Sequence, residues 1–423
     1  MDIEELYYTR KENPLYNTSY PLSPLDWESY RINKPLRFKS EKVLSLYVHI
    51  PFCQQICTFC EYIKMRVPDE EVQLMYISHL RNDVETFLDT HPNINLQGFD
   101  VGGGTPTALT EQAFAQLMCL CKHVMNISNV CDDYEPSIEG TFSTITKGKL
   151  DMMAGAGFHR LSLGVQSYSS LVTQTTHRLF SSIDEMKKII HLARQSGIRK
   201  INLDFMYGLQ NQSLGSLRDD LWLIQYLHPE QVTLYELRTN MICEQSHTTS
   251  AERYAMYSML YDGLVTMGYH APFGQNTFSI VKDDMGVSSY LRHRMRDCTP
   301  YKGFGLSAQS MSSCGIAYNL GKKGRHLKEL LRKGTYAEEY TYLLPPEETA
   351  SKYIAIAAYS GAFSMVKLSE ILQKDAESVY ERQLEFCFDK GLLQKDGELA
   401  RITKEGFRHY GAVFSLFYDY KYK

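Results

Sequence analysis

The sequence contains no uninterrupted apolar stretch that approaches the roughly 18 residues needed for a membrane-spanning helix. It also lacks an excess of charge, since 45 lysines and arginines against 49 aspartates and glutamates give a formal net charge of −4. This balance argues against a protein that coats nucleic acid or an anionic membrane. The first residues, MDIEELYYTRKENP, lack the apolar core of a signal peptide. We therefore expect a cytoplasmic protein with no membrane span, and we do not expect nucleic-acid binding.

Ten cysteines are present, and they do not indicate a disulfide framework in a 423-residue chain without a secretory signal. Free cysteine is among the most buried residue types, so burial in the core is the simplest interpretation of the scattered ones. The scattered cysteines are Cys119, Cys121, Cys131, Cys243, Cys298, Cys314 and Cys387. The other three, Cys53, Cys57 and Cys60, lie within eight positions and need a separate explanation.

From about residue 43, strand-like apolar runs alternate with segments of helical period. One such segment has a candidate N-cap, Ser182, and a candidate stop, Gly197. Six βα units predict an α/β fold with a parallel sheet, a partial (β/α)6 barrel that amounts to about three quarters of a TIM barrel. Chemistry in such folds gathers at the carboxyl ends of the strands. The predicted strands are 43–50, 96–101, 136–142, 159–165, 200–208 and 231–237.

The segments that flank the predicted barrel have a different character. The N-terminal segment is rich in Tyr, Pro, Asn and Ser, which is typical of an extended arm that packs on another part of the protein. From about residue 341, helical segments precede a predicted hairpin at Asp396-Gly397, which indicates a mostly helical, winged-helix-like domain. The predicted division is an N-terminal arm at 1–42, a partial barrel at 43–275, an extension that closes the active site at 276–340, and the C-terminal domain at 341–423.

The clustered cysteines follow the first predicted strand in the order Cys53-x3-Cys57-x2-Cys60. Thiolates are soft ligands that suit zinc and iron–sulfur clusters. A zinc site normally needs a fourth ligand, and His49 lies inside the strand, where it is poorly placed to supply one. Three cysteines with no evident fourth ligand favour a four-iron–four-sulfur cluster whose last iron is open to a small molecule.

The segment YVHIPFC-x3-C-x-FC closely resembles the radical S-adenosylmethionine (radical SAM) superfamily, and within it the oxygen-independent coproporphyrinogen III oxidase family and its relatives. Further motifs occur in the order of that family and extend the resemblance over roughly residues 14–310. They are NTSYP at 17–21, GGGTP at 102–106, SIEG around Glu139, LSLGVQ ending at Gln166, Arg178 twelve residues on, Asp204 in NLDFMYGL, and GFGLSAQS at 303–310. The resemblance implies a radical SAM barrel.

The resemblance also implies two cofactors, a four-iron–four-sulfur cluster and S-adenosylmethionine bound to its open iron. In the family, an electron, which we expect from a reduced flavodoxin or ferredoxin-type donor, cleaves the sulfonium to a 5′-deoxyadenosyl radical that abstracts hydrogen from substrate. The implied cluster ligands are Cys53, Cys57 and Cys60. The residues matching the site of the first S-adenosylmethionine are Tyr47, Gly103 and Glu139. Those matching the site of a second molecule are Phe59, Gly104, Thr105, Gln166, Arg178 and Asp204.

Several of these residues also have a purely structural explanation. Residues 102–104 can form a tight strand-to-helix turn, and Asp204 can cap a helix. Arg178 can be a surface cation and Gln166 a strand-end amide, while His177 is better explained as structural than as a base. GGGTP is not the G-x-G-x-x-G fingerprint, so dinucleotide binding is not expected.

Four departures from the family's pattern bear on the substrate. Glu61-Tyr62 replaces the Gly-Cys pair that follows the third cluster cysteine of the oxidase, and Gln210 replaces the proline of its GLP motif. Arg238 stands where the oxidase has a small residue that contacts the second S-adenosylmethionine, and Gln309 replaces an apolar residue. Arg238 and Gln309 are candidate cofactor contacts. A change from a small residue to arginine alters the volume and charge of a pocket wall, which argues against decarboxylation of coproporphyrinogen itself.

With the two-molecule site kept and no fourth cysteine, the sequence resembles the methyltransferase and cyclopropanating branch of the superfamily. This resemblance implies a methyltransferase-like reaction, in which one S-adenosylmethionine supplies the radical and the other a methyl or methylene group for an sp2 carbon. The alternatives are oxidative decarboxylation of coproporphyrinogen III, anaerobic haem degradation with methyl transfer, and a haem chaperone without catalysis. Residues 288–305 lack the HN-x-x-YW-like segment of the chaperone branch, which counts against the last of these. The expected substrate is a small molecule, namely a porphyrin, a quinone or another unsaturated compound.

Overall fold

The computed structural model describes residues 2–15, 24–38, 41–92, 94–237, 248–321, 324–333 and 339–418. Arg238, Cys243 and the NTSYP motif at 17–21 lie outside the described residues, so what the sequence predicts for them stays a prediction. Within the described ranges, no helix combines the length and the apolar character needed to cross a membrane.

The strands form one large sheet and two small ones. In chain order they are β1 (Arg31–Ile32), β2 (Val43–Ile50), β3 (Phe52–Cys53), β4 (Met65–Arg66), β5 (Asn95–Gly103), β6 (Asn129–Val130), β7 (Ser137–Gly140), β8 (Arg160–Gln166), β9 (Lys200–Tyr207), β10 (Gln231–Glu236), β11 (Thr277–Ser279), β12 (Tyr301–Phe304), β13 (Gln309–Ser312), β14 (Gly315–Asn319), β15 (Glu339–Leu343), β16 (Ala362–Ser364), β17 (Leu393–Asp396) and β18 (Leu399–Ile402).

Helices lie between and after these strands. They are α1 (Ile3–Glu12), α2 (Glu70–Thr90), α3 (Glu111–Ile127), α4 (Lys147–Ala156), α5 (Ser170–Thr175), α6 (Ile183–Ser196), α7 (Leu214–Leu227), α8 (Ser250–Thr266), α9 (Ser289–Arg296), α10 (Gly324–Lys333), α11 (Pro346–Ala357), α12 (Met365–Leu372), α13 (Ala376–Val379), α14 (Glu381–Asp389), α15 (Lys404–Phe407) and α16 (Tyr410–Ser415). Short 3-10 helices span Pro24–Tyr30, Pro106–Ala108, Phe142–Thr144 and Ala358–Ser360.

The large sheet contains the predicted parallel barrel strands. All six are present as β2, β5, β7, β8, β9 and β10, and each pairs in parallel with the next. The sequence did not predict a further parallel strand, β12, which pairs with β2 on the side opposite β5. Because β12 is four residues long and includes Lys302 and Gly303, no long apolar run marks it. The predicted α/β fold class is confirmed.

Antiparallel strands extend the sheet at both edges. β13, β14, β15 and β1 follow β12 in that order, and β11 pairs with β10 at the other edge. Since β1 belongs to the first 42 residues, hydrogen bonds tie that segment to the sheet. Trp27 of the same segment is fully buried and donates a hydrogen bond from Nε1 to Glu348 Oε2 at 2.9 Å.

The expectation of an extended arm is wrong for the first described residues, which form helix α1. Asp2 caps this helix by accepting a hydrogen bond from Ile3 N at 2.7 Å. The helix packs against α14 and α16, and Lys390 Nζ of the C-terminal region lies 2.9 Å from Glu4 Oε1. The helix buries Leu6 and Tyr7 together with Arg10, a stripe too short and too mixed in polarity for the periodicity to reveal.

The predicted ends of α6 are confirmed. Ser182 N donates a hydrogen bond to the Glu185 carboxylate at 2.8 Å, and Glu185 N donates in return to Ser182 Oγ. This reciprocal capping box begins the helix. Gly197, with φ of 102°, ends it in the left-handed conformation that glycine adopts without strain.

The scattered cysteines do not all lie in the core. Cys121 and Cys387 are buried as predicted, whereas Cys131 and Cys298 are half-buried. The prediction is wrong for Cys119 and Cys314, which are exposed. On α3 residues two positions apart face different directions, so burial of Cys121 turns Cys119 outward. Cys314 lies in the turn between β13 and β14.

The C-terminal region is mostly helical, as predicted. Helices α11 to α16 accompany a three-stranded sheet of order β16-β18-β17. The predicted hairpin is confirmed, because Asp396 of β17 pairs with Leu399 of β18 across a two-residue connection. Gly397 in that connection has φ of 60°, which a two-residue hairpin turn requires.

Asp220, on α7, fixes the segment that leaves the carboxyl end of β8. Its side chain is fully buried and accepts hydrogen bonds from Tyr168 N at 2.5 Å and from Ser167 Oγ at 3.3 Å. Burial raises the pKa of this carboxyl from 3.8 to about 7. The folded protein therefore keeps a proton on Asp220 under mildly acidic conditions.

Asp220→Asn is expected to flatten the pH dependence of stability. The unfolded chain releases the Asp220 proton near pH 4, so between about pH 4 and 7 it binds fewer protons than the folded chain. The free energy of unfolding consequently falls as pH rises through that window, by at most about 4 kcal/mol. Urea unfolding at pH 5 and at pH 7 measures this loss, with Asp219→Asn, an exposed neighbour, as the control. Equal losses in both variants would contradict the assignment.

Candidate active site

The cysteine loop, residues 51–64, leaves the carboxyl end of β2 and folds back on itself. β3, which contains Cys53, pairs in parallel with β4, and this pairing closes the loop. Cys60 N donates to Cys57 O at 3.4 Å, so the second and third cysteines share a turn. Cys53 and Cys57 are buried and Cys60 is half-buried. The loop thus carries all three predicted cluster ligands at the end of the barrel where chemistry is expected.

The GGGTP turn lies directly against the cysteine loop. Gly104 N donates to Ile50 O at 2.7 Å, and Thr105 N donates to Phe52 O at 2.8 Å. A Cβ on Gly104 would lie 2.8 Å from Phe52 O and 2.9 Å from Cys53 Sγ. Thr105 Oγ1 is 3.8 Å from the same sulfur. The turn therefore does more than connect a strand to a helix, because it holds the first cysteine in place.

Tyr47 and His49 project from β2 beside this turn. Tyr47 Oη lies 3.2 Å from His49 Nδ1, and His49 Nε2 lies 3.4 Å from Ile63 O. The Tyr47 ring stacks on Tyr290 with centroids 5.7 Å apart. Burial lowers the pKa of His49 to about 4, so its ring is neutral near pH 7. Both ring nitrogens have partners, which agrees with the expectation that His49 is not a metal ligand.

A compact site for one metal ion is a separate question from a cluster site. Over the ranges that the structure describes, no three His, Cys, Asp or Glu side chains lie close enough together to hold a single ion. The thiolates of an iron–sulfur cluster bind different iron atoms and therefore stand further apart than the ligands of one ion. This finding concerns a site for a single zinc ion and does not concern a site for an iron–sulfur cluster.

Glu139 lies on β7, and its side chain faces the barrel lumen. Its Oε2 accepts a hydrogen bond from Gly103 N at 3.1 Å, and Gly103 has φ of 114°, in the region that favours glycine. The Glu139 side chain keeps some accessible surface inside the lumen, although the barrel encloses it on all sides. This enclosure, together with the nearby Asp204, raises the pKa of Glu139 to about 8. The carboxyl is thus placed to hydrogen-bond a ligand beside the glycine turn.

Asp204 and Asp100 add two more carboxyl groups to the lumen. Asp204 accepts hydrogen bonds from Ser162 Oγ at 3.0 Å and Asn202 Nδ2 at 2.8 Å. It lies inside β9, so it is not the helix cap that the sequence left open. Asp100, on β5, accepts from Ser288 Oγ at 2.6 Å. Burial raises the pKa of both carboxyls, that of Asp100 to about 7.

Arg178 lies beside the cysteine loop and is not an isolated surface cation. Its Nη1 is 4.0 Å from Cys57 Sγ, and its Nη2 donates to Gly164 O on β8. Gln166, at the end of the same strand, has φ of 72°, and the pairing of β8 with β9 shifts between Gly164 and Gln166. This irregular strand end brings the Gly164 carbonyl to the guanidinium.

Phe59 and Gln309 lie apart from these polar groups. Phe59 packs against a small apolar cluster on the neighbouring barrel strands and helices, which contains Val172, Met206, Leu209 and Leu237. Gln309 lies on β13, where its Oε1 accepts hydrogen bonds from Arg294 Nη2 at 2.7 Å and from Tyr301 Oη. Phe59 belongs to the cysteine loop itself, whereas Gln309 makes no hydrogen bond to that loop among the described residues.

Sequence reasoning did not identify the side chains that α9 contributes to the site. Ser288, which caps α9, binds Asp100, while Tyr290 stacks on Tyr47. The segment contains no motif that marks these contacts, because they join residues about 190 to 240 positions apart in the chain. Asp100 itself stands two residues before GGGTP in a predicted strand, and this position was the one available signal for it.

Comparison with known proteins agrees with this geometry. The family model described as the radical SAM superfamily matches residues 47–222. The chain is 31% identical over 391 residues to the heme chaperone HemW of Haemophilus influenzae, covering 88% of this chain and 97% of that protein. It is 27% identical over 344 residues to the oxygen-independent coproporphyrinogen III oxidase of Bradyrhizobium diazoefficiens, covering 76% of this chain and 75% of the relative.

A solved structure shows the same fold. Coproporphyrinogen III oxidase (HemN) from Escherichia coli superposes with a TM-score of 0.74 over 90% of this chain and 91% of that chain, at 22% identity. This superposition confirms the predicted fold. The resemblance stated from the motifs is confirmed as well. With a relative at 31% identity matched along 97% of its length, the chain belongs to the radical SAM superfamily, in the family that contains the heme chaperone HemW and oxygen-independent coproporphyrinogen III oxidase.

Proposed function

We propose that this protein is a radical SAM enzyme that cleaves S-adenosylmethionine reductively and uses a second molecule of it to transfer a methyl or methylene group to an sp2 carbon of a small unsaturated substrate. The proposal rests on two sets of polar groups, which contact either the cysteine loop or the GGGTP turn beside it. One set centres on Gly103 and Glu139, joined at 3.1 Å. The other centres on Thr105 and Arg178, which lie 3.8 and 4.0 Å from cysteine sulfurs.

The three loop cysteines fit the four-iron–four-sulfur cluster that membership of the superfamily implies. When bound, the cluster supplies the electron that splits the sulfonium of S-adenosylmethionine into methionine and a 5′-deoxyadenosyl radical; we expect a reduced flavodoxin or ferredoxin-type donor to deliver that electron. Thr105 Oγ1 donates toward Cys53 Sγ, and the Arg178 guanidinium stands beside Cys57 Sγ. The hydroxyl of Thr105 would stabilise negative charge on the Cys53 thiolate, whereas Arg178, whose Nη2 donates to Gly164 O, makes only a marginal contact with Cys57.

The first S-adenosylmethionine would lie against the glycine turn and the carboxyl of Glu139. The backbone approaches closely there, because Gly102 and Gly103 have no side chain to obstruct a ligand. A Cβ on Gly102 would lie 2.6 Å from the Glu139 carboxyl carbon. Glu139 offers oxygens to an amine or to ribose hydroxyls, and Tyr47 supplies an aromatic wall.

The second S-adenosylmethionine would use Arg178. Its Nη2 donates to Gly164 O, and no carboxylate lies within ion-pair distance of it among the described residues, so the rest of the guanidinium is available for the methionyl carboxylate. Gly104, Thr105 and Gln166 lie on the same side, at the turn and the end of β8. Asp204 and Phe59 complete the set, one as a hydrogen-bond acceptor and the other as an apolar contact.

The choice of methyl transfer over decarboxylation rests on Gln309. Where the oxidase family has an apolar residue, Gln309 binds the cation of Arg294 and the hydroxyl of Tyr301. A polar, positively charged wall differs from the apolar one that the resemblance associates with porphyrinogen decarboxylation. The expected substrate remains a small unsaturated molecule, a porphyrin or a quinone among them.

Two other functions have specific support in the similarities. The 31% identity to a heme chaperone supports haem binding without turnover. The 27% identity to an oxygen-independent coproporphyrinogen III oxidase supports oxidative decarboxylation. Product analysis separates all three. Anaerobically reconstituted, reduced protein is incubated with S-adenosylmethionine and haem, coproporphyrinogen or a quinone. Methyl transfer gives S-adenosylhomocysteine together with 5′-deoxyadenosine, decarboxylation gives 5′-deoxyadenosine alone, and a chaperone gives little of either.

Arg178→Ala is expected to weaken the second binding event about 10- to 100-fold, because a charge-assisted hydrogen bond contributes about 1.5–3 kcal/mol. S-adenosylhomocysteine formation at limiting S-adenosylmethionine should fall accordingly, while iron content stays at the level of the unmodified protein. Arg199→Ala, an exposed arginine before β9, is the control and should change neither quantity. An unchanged ratio of the two products in Arg178→Ala would remove Arg178 from the site.

A further inference from the structure

We propose that Arg294 forms a subsite that binds a carboxylate group of the substrate. This inference rests on the proposed function, because it takes the barrel lumen as the place where the substrate lies. The carboxylate would sit against the guanidinium at the lumen wall formed by α9, β12 and β13, apart from the side chains assigned to S-adenosylmethionine.

The strand register places this wall on the lumen side of the sheet. Tyr301 of β12 pairs with Ser45 of β2, and Ser45 shares a face with Tyr47 because residues two apart in a strand point the same way. Met311 of β13 pairs with Tyr301, so Gln309, two residues earlier, also lies on that face. Tyr47 is the residue beside the glycine turn, and the wall therefore continues the candidate active site.

Neutral groups hold Arg294 in this wall. Its Nη2 donates to Gln309 Oε1 at 2.7 Å, and its Nη1 donates to Tyr290 Oη at 3.3 Å. The guanidinium carbon lies 4.6 Å from the centroid of the Tyr301 ring. Tyr290 in turn stacks on Tyr47. The guanidinium is therefore fixed by two hydrogen bonds and a ring, one aromatic side chain away from the glycine turn.

The charge of Arg294 has no acidic partner. Among the residues that the structure describes, no carboxylate lies within ion-pair distance of it, and its Nε is buried without a hydrogen-bond partner. Arg253, another arginine with little exposure, pairs with Glu236 at 2.7 Å. Arg160, inside the barrel, has Asp100, Glu139 and Asp204 near enough to interact electrostatically. A largely desolvated guanidinium is costly without an anion.

A second basic side chain lies near Arg294. Lys352 on α11 is buried, and α11 packs against α9, where Tyr353 Oη donates to Arg296 O at 3.1 Å. Burial, and then the proximity of Arg294, lower the pKa of Lys352 to about 7. An anion bound at Arg294 would offset this repulsion.

The lumen consequently separates carboxyl groups from a guanidinium. Asp100, Glu139 and Asp204 line the side formed by β5, β7 and β9, which suits the amine and sulfonium of S-adenosylmethionine. Arg294 stands on the other side, at β12 and β13. A substrate bearing a carboxylate would be drawn to that side and held with its unsaturated part toward the centre.

Benzoate and its neutral analogue benzamide are the probes for this subsite. Ligand-observed NMR measures their binding to anaerobically reconstituted protein that contains S-adenosylmethionine. We expect benzoate to bind and Arg294→Met to weaken that binding about tenfold or more, as loss of a charge-assisted contact does. Benzamide should bind the two proteins alike. Arg294→Lys should retain part of the benzoate affinity, and Arg296→Met, an exposed arginine on the same helix, should retain all of it.

The outcomes are separable from those of the proposed function. Benzoate that fails to bind the unmodified protein, or that binds Arg294→Met equally well, would overturn the subsite. A parallel loss of S-adenosylmethionine affinity in Arg294→Met, with iron content unchanged, would assign Arg294 to the cofactor carboxylate and would equally overturn it. Benzoate binding through Arg294 in a protein that forms no 5′-deoxyadenosine would preserve the subsite and refute the proposed function.

Discussion

Cys57→Ala yields a protein with little or no bound iron after anaerobic reconstitution, and with no formation of 5′-deoxyadenosine. Cys57 is one of the three thiols on the loop, and His49 on the preceding strand is not available to replace it, since both of its nitrogens are already hydrogen-bonded. The loss should therefore exceed the roughly 10- to 100-fold that removal of an outer partner costs a metal site. Cys53→Ala and Cys60→Ala should behave in the same way. Iron and sulfide analysis and the visible absorption spectrum measure the result.

The control for these variants is Cys119→Ala. Cys119 is exposed on α3, far along the chain from the cysteine loop, and its removal should leave iron content unchanged. Full iron incorporation by Cys57→Ala, or an equal loss in Cys119→Ala, would show that the loop cysteines do not form the cluster site. Stoichiometric zinc in the unmodified protein would have the same meaning.

Gly104→Ala is expected to disrupt the same site without removing a ligand. The added methyl group would lie 2.8 Å from Phe52 O and 2.9 Å from Cys53 Sγ. Neither can easily retreat, because Phe52 O accepts from Thr105 N and Gly104 N donates to Ile50 O. Overpacking of this kind costs about 1–3 kcal/mol. We expect lower stability in urea and a several-fold loss of iron per chain, since the displaced group carries the first cysteine.

Gly155→Ala is the matched control for that substitution. Gly155 lies within α4, and a Cβ there would meet nothing within 4 Å. Alanine should stabilise this helix by up to about 1 kcal/mol, because glycine is the weaker helix former. If Gly104→Ala kept its iron and its stability as Gly155→Ala does, the close approach of the GGGTP turn to the cysteine loop would not be needed for the site.

The barrel could be predicted because its strands carry their own signal. Largely apolar segments such as 43–50, and segments such as 200–208 in which apolar and polar residues alternate at first, are short enough to distinguish from helices, and the turns between them carry glycine and capping residues. β12 could not be predicted, because four residues that include Lys302 and Gly303 have no period to detect. α1 escaped for a related reason, since its buried stripe depends on contact with α14 and α16.

The candidate site likewise has one part that the sequence predicts and another that it does not. Tyr47, Gly103 and Glu139 belong to short motifs that follow consecutive strands, and parallel strands bring such positions to one end of a barrel. Tyr290 and Arg294 reach the same lumen through tertiary packing of α9, which no local pattern encodes. Gln309 was noticed only as a departure from a family pattern. Its partner Arg294 gives that departure a physical meaning, since it replaces an apolar wall with a cation.

Fold alone does not decide among the reactions of this family. The same barrel carries proteins named as oxidases and as chaperones, and the sites grafted on it decide the chemistry. For this chain the distinguishing features are polar. They are the carboxyls of Asp100, Glu139 and Asp204 on β5, β7 and β9 and, on α9, Arg294, which has no acidic partner among the described residues.

The central claim is that the protein turns over S-adenosylmethionine, and one measurement addresses it directly. Anaerobically reconstituted protein is reduced with dithionite and supplied with S-adenosylmethionine, and 5′-deoxyadenosine is quantified over time, with and without haem. The account predicts several molecules of 5′-deoxyadenosine per chain, abolished in Cys57→Ala and preserved in Cys119→Ala. Tight haem binding with no 5′-deoxyadenosine from a protein that holds its full complement of iron would contradict the account.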